Sequence, residues 1–406
     1  MKFPGTVNLV DAINNVDSSI KMSDFVESIT YIPLKLPNDY FLKFCWLSAY
    51  DEKEKIFIVG DIFNVLIVDS AGQFKSPVGR RGQGPGEYPQ RSSVTIDTEG
   101  KAIYLQAAHT GRIQKYDYNG RFIKTVFSIS RDSLFTSNVF YRDSKFVMVG
   151  EVFYSSLINR LDIIYGFGLK DSTGKWLDAR PPQVAQVVDK VKNGRYVQFM
   201  PFGDLSFYKE FPLLLYMGLS DTIFTAQDNK IVPRYFLNYG NEKPDLTELW
   251  AMGDERRRAI YKSIFITNKA FETDRYLFVK VKKKKVEYII IHDKYTGEDK
   301  AVTYDYWGIP GDMKNEMLDN INAYFGFRND IDGGVDAYPH ITSDDGRYWV
   351  SYIDAHLMKS VLTDEYFASR TDVKDIAGQN QLKELVGKLD ENDNPVLILM
   401  KLKDGV

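Results

Sequence analysis

Runs of roughly four to eight apolar residues, bounded by Asp, Asn, Ser and Gly, recur along the chain and predict strands rather than helices. Ile56-Phe-Ile-Val59 leads into Val65-Leu-Ile-Val-Asp69, a Ser70-Ala71-Gly72 turn and Phe74. The same order returns as Ile103-Tyr-Leu105, Ile113-Gln-Lys-Tyr-Asp117, Tyr118-Asn119-Gly120 and Phe122, with Asp117 lying 48 residues after Asp69. In both copies Asp precedes Gly by three positions and an aromatic follows two later. Asp accepts turn geometry and Gly supplies positive φ, so each copy reads as a hairpin with a specified turn. Weaker echoes follow at Asp171-Ser-Thr-Gly174, Asp293-Lys-Tyr-Thr-Gly297 and Asp344-Asp345-Gly346, with a further strand pair at Leu213–Tyr216 and Thr222–Phe224. Hairpins repeating every 40 to 60 residues or so are the mark of propeller blades, and the length of the chain accommodates six or seven.

Helical spacing interrupts the repeat in four places: Pro181–Lys192, Asp245–Ile264, Asp312–Tyr324 and Gln381–Leu389. Each carries apolar positions at near-helical intervals, which predicts short insertions packed on the core. No linker rich in Pro, Gly or Ser divides the chain, so one domain is expected over 23–406 after a lead segment at 1–22. Ile29–Leu36 and Val396–Leu402 both read as strands. The expected fold is all-β, a propeller whose first and last blade join by mixing strands from the two termini, which removes exposed edges.

Composition agrees with a β-rich chain, since 26 Tyr and 26 Phe among 406 residues favour strands. Net charge is −3, so no overall basic field calls for nucleic acid. The basic run Lys282–Lys285 lies between two predicted strands, Tyr276-Leu-Phe-Val279 and Tyr288-Ile-Ile-Ile291, and reads as a hairpin turn. Cys45 is the single cysteine, so no internal disulfide forms, and its apolar neighbours predict burial. The N-terminus, Met1-Lys2-Phe3-Pro4-Gly5, carries no apolar signal core. That leaves a cytoplasmic protein or a processed form of an exported one.

The most distinctive stretch is Gly79-Arg-Arg-Gly82-Gln-Gly84-Pro85-Gly86-Glu87-Tyr88. Four glycines and a proline specify a fixed, non-repetitive backbone. It is no P-loop, because neither Gly-Lys-Ser/Thr nor a helix follows. Two readings stand: a rigid turn between blades with Glu87 paired to an arginine, or a ligand loop using Arg80, Arg81, Gln83, Glu87 and Tyr88.

Together with Tyr31-Ile-Pro-Leu34, the Asp69–Phe74 turn, Tyr116–Lys124, Asp332-Gly333-Gly334 and Asn394–Lys403, this loop resembles the Bacteroidetes six-bladed β-propeller lipoproteins of unknown function, akin in architecture to NHL-type propellers. The resemblance implies six blades, an exported precursor and a lipid-anchored cysteine upstream, hence a periplasmic or cell-surface location with any membrane attachment through that anchor. It carries no established activity.

Motifs of enzyme chemistry are missing. The four histidines, His109, His292, His340 and His356, show no His-Glu-x-x-His or other close ligand spacing. There is no Gly-x-Ser-x-Gly elbow. Asp390–Asn394 begins like a calcium loop, but Pro395 stands where glycine is required. Propellers nonetheless assemble sites where inner strands converge on a central channel, so His109, His340 and Asp332 join the candidates. The expected function is non-catalytic binding of a glycan, peptide or protein, with no cofactor. The alternative is a metal-assisted hydrolase or lyase holding a divalent cation in the channel.

Overall fold

The Asp and Gly of each repeat close their hairpins through the side chain as well as the backbone. Asp69 Oδ1 accepts from the amides of Ala71 and Gln73, both at 2.9 Å, while Gly72 takes φ +75°. Asp117 with Gly120 and Asp171 with Gly174 repeat the arrangement, each carboxylate capping the amides two and four residues on. At Asp293 the turn is one residue longer and Gly297 carries the positive φ. The sequence spacing is therefore a hydrogen-bonding device.

The computed structural model describes residues 4–37, 40–42, 45–108, 110–129, 138–149, 167–180, 203–216, 221–244, 258–259, 261–284, 286–303 and 326–406. These form six antiparallel sheets in chain order around an axis. Blade 1 spans Trp46–Asp51 to Phe74–Pro77, blade 2 Arg91–Asp97 to Phe122–Ser128, and blade 3 Asn138–Arg142 to Trp176–Arg180. Blade 4 spans Gly203–Tyr208 to Lys230–Asn238 and blade 5 Ile264–Ile266 to Asp299–Val302. Blade 6 begins with Ile341–Thr342 and Tyr348–Ile353. In each, the first strand lies innermost.

Blade 6 is completed by both chain ends. Val396–Leu402 pairs antiparallel with Tyr348–Ile353 on one side and with Val26–Pro33 on the other. The N-terminal segment does more than supply that strand. Gly5–Asn8 adds a parallel strand to the outer edge of blade 4, Val16 bridges to Ala301 on the outer strand of blade 5, and Lys35 bridges to Gln73 of blade 1. It thus runs as a belt over the outer edges of successive blades, covering unpaired strands.

Short helices decorate this frame: α1 (Leu9–Asn14) in the belt, and α2 (Ala355–Val361), α3 (Asp364–Ser369) and α4 (Ile376–Lys388) between the second and third strands of blade 6. α4 covers the helix expected at Gln381–Leu389 up to Lys388, with Leu389 as its extended C-cap, and starts five residues earlier, where Asp375 caps it by accepting from the Gly378 amide. The expected insertions at Pro181–Lys192 and Asp312–Tyr324, and most of Asp245–Ile264, lie outside the described residues. Ile264 itself opens a strand paired with Lys283. The lysine run turns between Tyr276–Lys283 and Val286–Asp293, with Lys284 at φ +57°. Cys45 is buried, and that burial pushes its thiol pKa well up.

Apolar clusters fill the seams between blades. In one, Phe278 of blade 5 meets Phe25, Phe327 and Trp349 of blade 6 at ring separations of 5.0 to 5.6 Å in edge-on or tilted pairs, Phe25–Phe327 and Phe278–Phe327 included. Another seam holds charge: Arg234 of blade 4 grips Glu272 of blade 5 with two hydrogen bonds of 2.7 Å, and Lys294 reaches the same carboxylate at 2.8 Å. Nearer the axis, the Ser93 hydroxyl accepts from the Val139 amide and donates to the Val139 carbonyl, both at 2.9 Å, stitching blade 2 to blade 3.

Candidate functional site

Inner strands converge because each blade turns its first strand to the axis, and the side chains they carry line a channel of about 470 Å³. Trp46 and Ser48 come from blade 1, Arg91 from blade 2, Arg142 from blade 3, Phe207 from blade 4, and Lys269 from the inner edge of blade 5. His340 and Asp344 come from blade 6.

At one end a latch joins blade 3 to blade 6 across the axis. Arg142 Nη1 lies 2.6 Å from Asp344 Oδ1, and Thr98 Oγ1 of blade 2 donates to Asp344 Oδ2 at 2.6 Å. Arg142 and Asp344 also line a second cavity of about 620 Å³ beyond the latch. That vestibule is built from the turns following the inner strands, including Asp51–Lys53, Asp97–Gly100, Asp143–Ser144 and Lys209–Glu210. Its lining holds eight carboxylates against three cations, so the latch separates an acidic vestibule from a channel of opposite sign.

At the other end stands Arg91, only 5% exposed. Its Nε donates to the Asp61 carbonyl at 2.7 Å, its Nη1 lies 3.4 Å from Ser48 Oγ, and its guanidinium sits 4.1 Å from the centroid of the Trp46 ring. Nη2 has no acceptor among the described residues. Burial lowers the Arg91 pKa to about 10, which leaves it charged at neutral pH. Trp46 is 40% exposed, a large aromatic surface beside a buried cation.

His340 lies in the channel wall with Nδ1 2.9 Å from Ser351 Oγ and its ring against Tyr352. Burial first, and the charges of Lys269 and Lys280 second, hold its pKa down at about 3. The imidazole is therefore neutral at physiological pH. Lys280 itself is fully buried, and desolvation brings its pKa down to about 8. The depressed His340 pKa sets a sign for pH dependence. An unfolded histidine protonates near pH ~6.5 and the folded one resists, so this contribution to stability is present above that pH and is lost as pH falls toward 3. His340→Gln, which can keep a hydrogen bond to Ser351, is expected to lose less stability between pH 7 and 5 than wild type, read from urea midpoints at the two pH values.

The glycine-rich loop joins blade 1 to blade 2 at the Arg91 end. Arg80 Nε pairs with Glu87 Oε1 at 2.6 Å, and Gly84 donates its amide to Glu87 Oε2 at 3.0 Å. The Gly84 amide first and Arg80 second hold the Glu87 pKa below the usual range. A Cβ at Gly82 would lie 2.1 Å from the Glu87 carboxylate, so a side chain there would push the carboxylate out of this position. The Gln83 and Glu87 carbonyls face Arg112 Nη2, at 3.5 and 3.3 Å. Tyr88 is buried, its hydroxyl accepting from the Val65 amide at 3.1 Å, and burial raises its pKa to about 12. Arg81 lies 4.6 Å over the Phe63 ring. Phe63 and Asp61 share one tight turn, so that turn ties the loop to Arg91.

Asp332 is placed elsewhere. It is buried where Asn329 Nδ2, the Gly334 amide and Tyr31 Oη surround one carboxylate oxygen at 2.7 to 3.2 Å, and burial raises its pKa. His109 lies outside the described residues. Among the described residues, no three His, Cys, Asp or Glu side chains come together as a group that could hold a metal ion. No described helix is long and apolar enough to cross a membrane.

Sequence reasoning missed Arg91, Trp46, Lys269 and the Arg142–Asp344 latch. The signal available was a charged residue at the end of a strand-like run, as in Arg91-Ser-Ser-Val-Thr-Ile96 and Phe140-Tyr-Arg142.

Six four-stranded or five-stranded sheets around one channel, closed by strands from both ends, define a six-bladed β-propeller. Residues 4–401 match the family model of the domain of unknown function DUF4934, and the chain belongs to that family. A Bacteroides fragilis protein, named as a candidate exported protein, shares the fold with a TM-score of 0.63 at 18% identity, covering 98% of this chain and 99% of its own. A DUF4221-family member from Bacteroides vulgatus aligns at a TM-score of 0.45 and 12% identity over 93% of this chain and 97% of its own. No curated protein matches the sequence.

Proposed function

We propose that this propeller binds a ligand in its central channel outside the cytoplasm and releases it unchanged. The observation that carries the reading is the channel itself, a lined cavity of about 470 Å³ with a buried cation and a half-exposed tryptophan at one end. That volume lies within the range of roughly 300–1,000 Å³ common for small-ligand sites. The channel groups best suited to proton transfer are committed to other contacts: His340 is neutral and bonded to Ser351, and Asp344 is latched to Arg142 and Thr98. The ligand is a glycan, a peptide or a protein segment short enough to enter. Export, a lipid anchor and kinship with NHL-type propellers belong to the same proposal, supported by the resemblance to Bacteroidetes lipoproteins and by the name of the B. fragilis neighbour.

The test is a thermal-shift screen of the purified chain against oligosaccharides, peptides and divalent cations, with every hit examined by mass spectrometry. A ligand at ~100 times its Kd is expected to add ~2.7 kcal/mol of stability and to be recovered intact. Conversion of the hit to product would replace binding with the metal-assisted hydrolase or lyase reading.

A further inference from the structure

We propose that the channel is an oxyanion site in which Arg91 takes a carboxylate or phosphate group of a small ligand. The inference rests on the channel being the binding site and adds the chemistry of what enters it. Four charged side chains line the channel: Arg91, Arg142, Lys269 and Asp344. Arg142 and Asp344 neutralise each other at 2.6 Å, which leaves Arg91 as the lining cation with an open donor. The Lys269 field is strong enough at the wall to contribute to the depressed pKa of His340.

Arg91 supplies the second, independent observation. It is 5% exposed, its Nε and Nη1 reach the Asp61 carbonyl and Ser48, and both N–H groups of Nη2 end without an acceptor among the described residues. A buried guanidinium donor without a partner is costly, and among the described residues no acceptor meets Nη2. An anion entering from the Trp46 end would supply that acceptor in a charge-assisted bond, the geometry for which guanidinium is suited. Eight carboxylates line the vestibule, on the far side of the latch, where they repel anions from that entrance. Trp46 beside Arg91 adds apolar surface for a ring-bearing ligand.

The test compares three probes that share one ring, namely glucose, glucuronate and glucose 6-phosphate, by isothermal titration against the full chain. Glucuronate or glucose 6-phosphate, or both, is expected to bind at least about tenfold more tightly than glucose, a factor set by one charge-assisted hydrogen bond. The preferred one of the two identifies the oxyanion. Arg91→Met, which keeps the stem against Trp46, is expected to remove that preference, and Lys269→Met to reduce it several-fold, with thermal unfolding of the unliganded variants confirming the fold. Equal affinity for all three probes, no binding of either anion, or an anion preference retained in both variants would overturn the proposal. A neutral ligand from the screen that binds wild type and Arg91→Met alike would end the oxyanion assignment while leaving the binding function standing.

Discussion

Removing residues 395–406 is expected to abolish cooperative unfolding. Val396–Leu402 is an interior strand of blade 6, hydrogen-bonded on both sides, and Val396, Leu397, Ile398, Met400 and Leu402 are buried. Its loss strands Val26–Pro33 without a partner and opens Tyr348–Ile353 to solvent. The ring then has a gap between blade 5 and blade 1, bordered by unpaired backbone and apolar side chains. The measurement is a thermal scan followed by circular dichroism. The expected result is a broad, shallow signal change in place of a sigmoid, and an unchanged melting curve would contradict the closure.

The second large effect lies at the seam of blades 4 and 5. Glu272→Leu is expected to cost about 3–5 kcal/mol, because it leaves the Arg234 guanidinium and the Lys294 ammonium buried without their shared carboxylate. The Arg234, Glu272 and Lys294 side chains are 6%, 0% and 5% exposed, so water replaces the lost partner poorly. Replacing all three with Arg234→Met, Glu272→Leu and Lys294→Met is expected to recover most of the loss, since an apolar trio needs no counter-charge. Urea midpoints of wild type, single and triple variants test this. A single variant as stable as wild type would show the three charges to be solvated.

Much of the fold was legible because it is written locally. Asp69, Asp117 and Asp171 each act on amides within four residues, so the turn and its sequence signature are the same object. The closing strand was legible too, since Val396–Leu402 is apolar at nearly every position, as a strand buried on both faces must be. The belt was harder to read. Gly5–Asn8 is a four-residue edge strand whose pairing with Tyr235–Asn238 depends on register far along the chain. Helices α2 and α3 are seven and six residues long, too short for helical periodicity to separate from strand noise.

The channel was the least legible part. Its residues are single polar positions on strands from different blades, and Arg142 and Asp344 become partners only when blade 3 faces blade 6. Arg91 in sequence is one charge after a glycine-rich loop, whereas in the fold it is the buried cation at a channel mouth. The loop drew attention through its glycines, and the structure gives them a nearer use in letting Glu87 fold back onto Gly82, Gly84 and Arg80. Asp332, read as a channel candidate together with His109 and His340, instead organises the chain around Asn329 and Gly334.

The most direct measurement is a crystal structure of the full chain soaked with glucuronate and, separately, with glucose 6-phosphate. Ligand density is expected in the channel, with an oxyanion oxygen within hydrogen-bonding distance of the Arg91 guanidinium and the sugar ring beside Trp46. Ligand bound only on the outer surface, or a channel holding nothing but water at concentrations that saturate binding in solution, would contradict it.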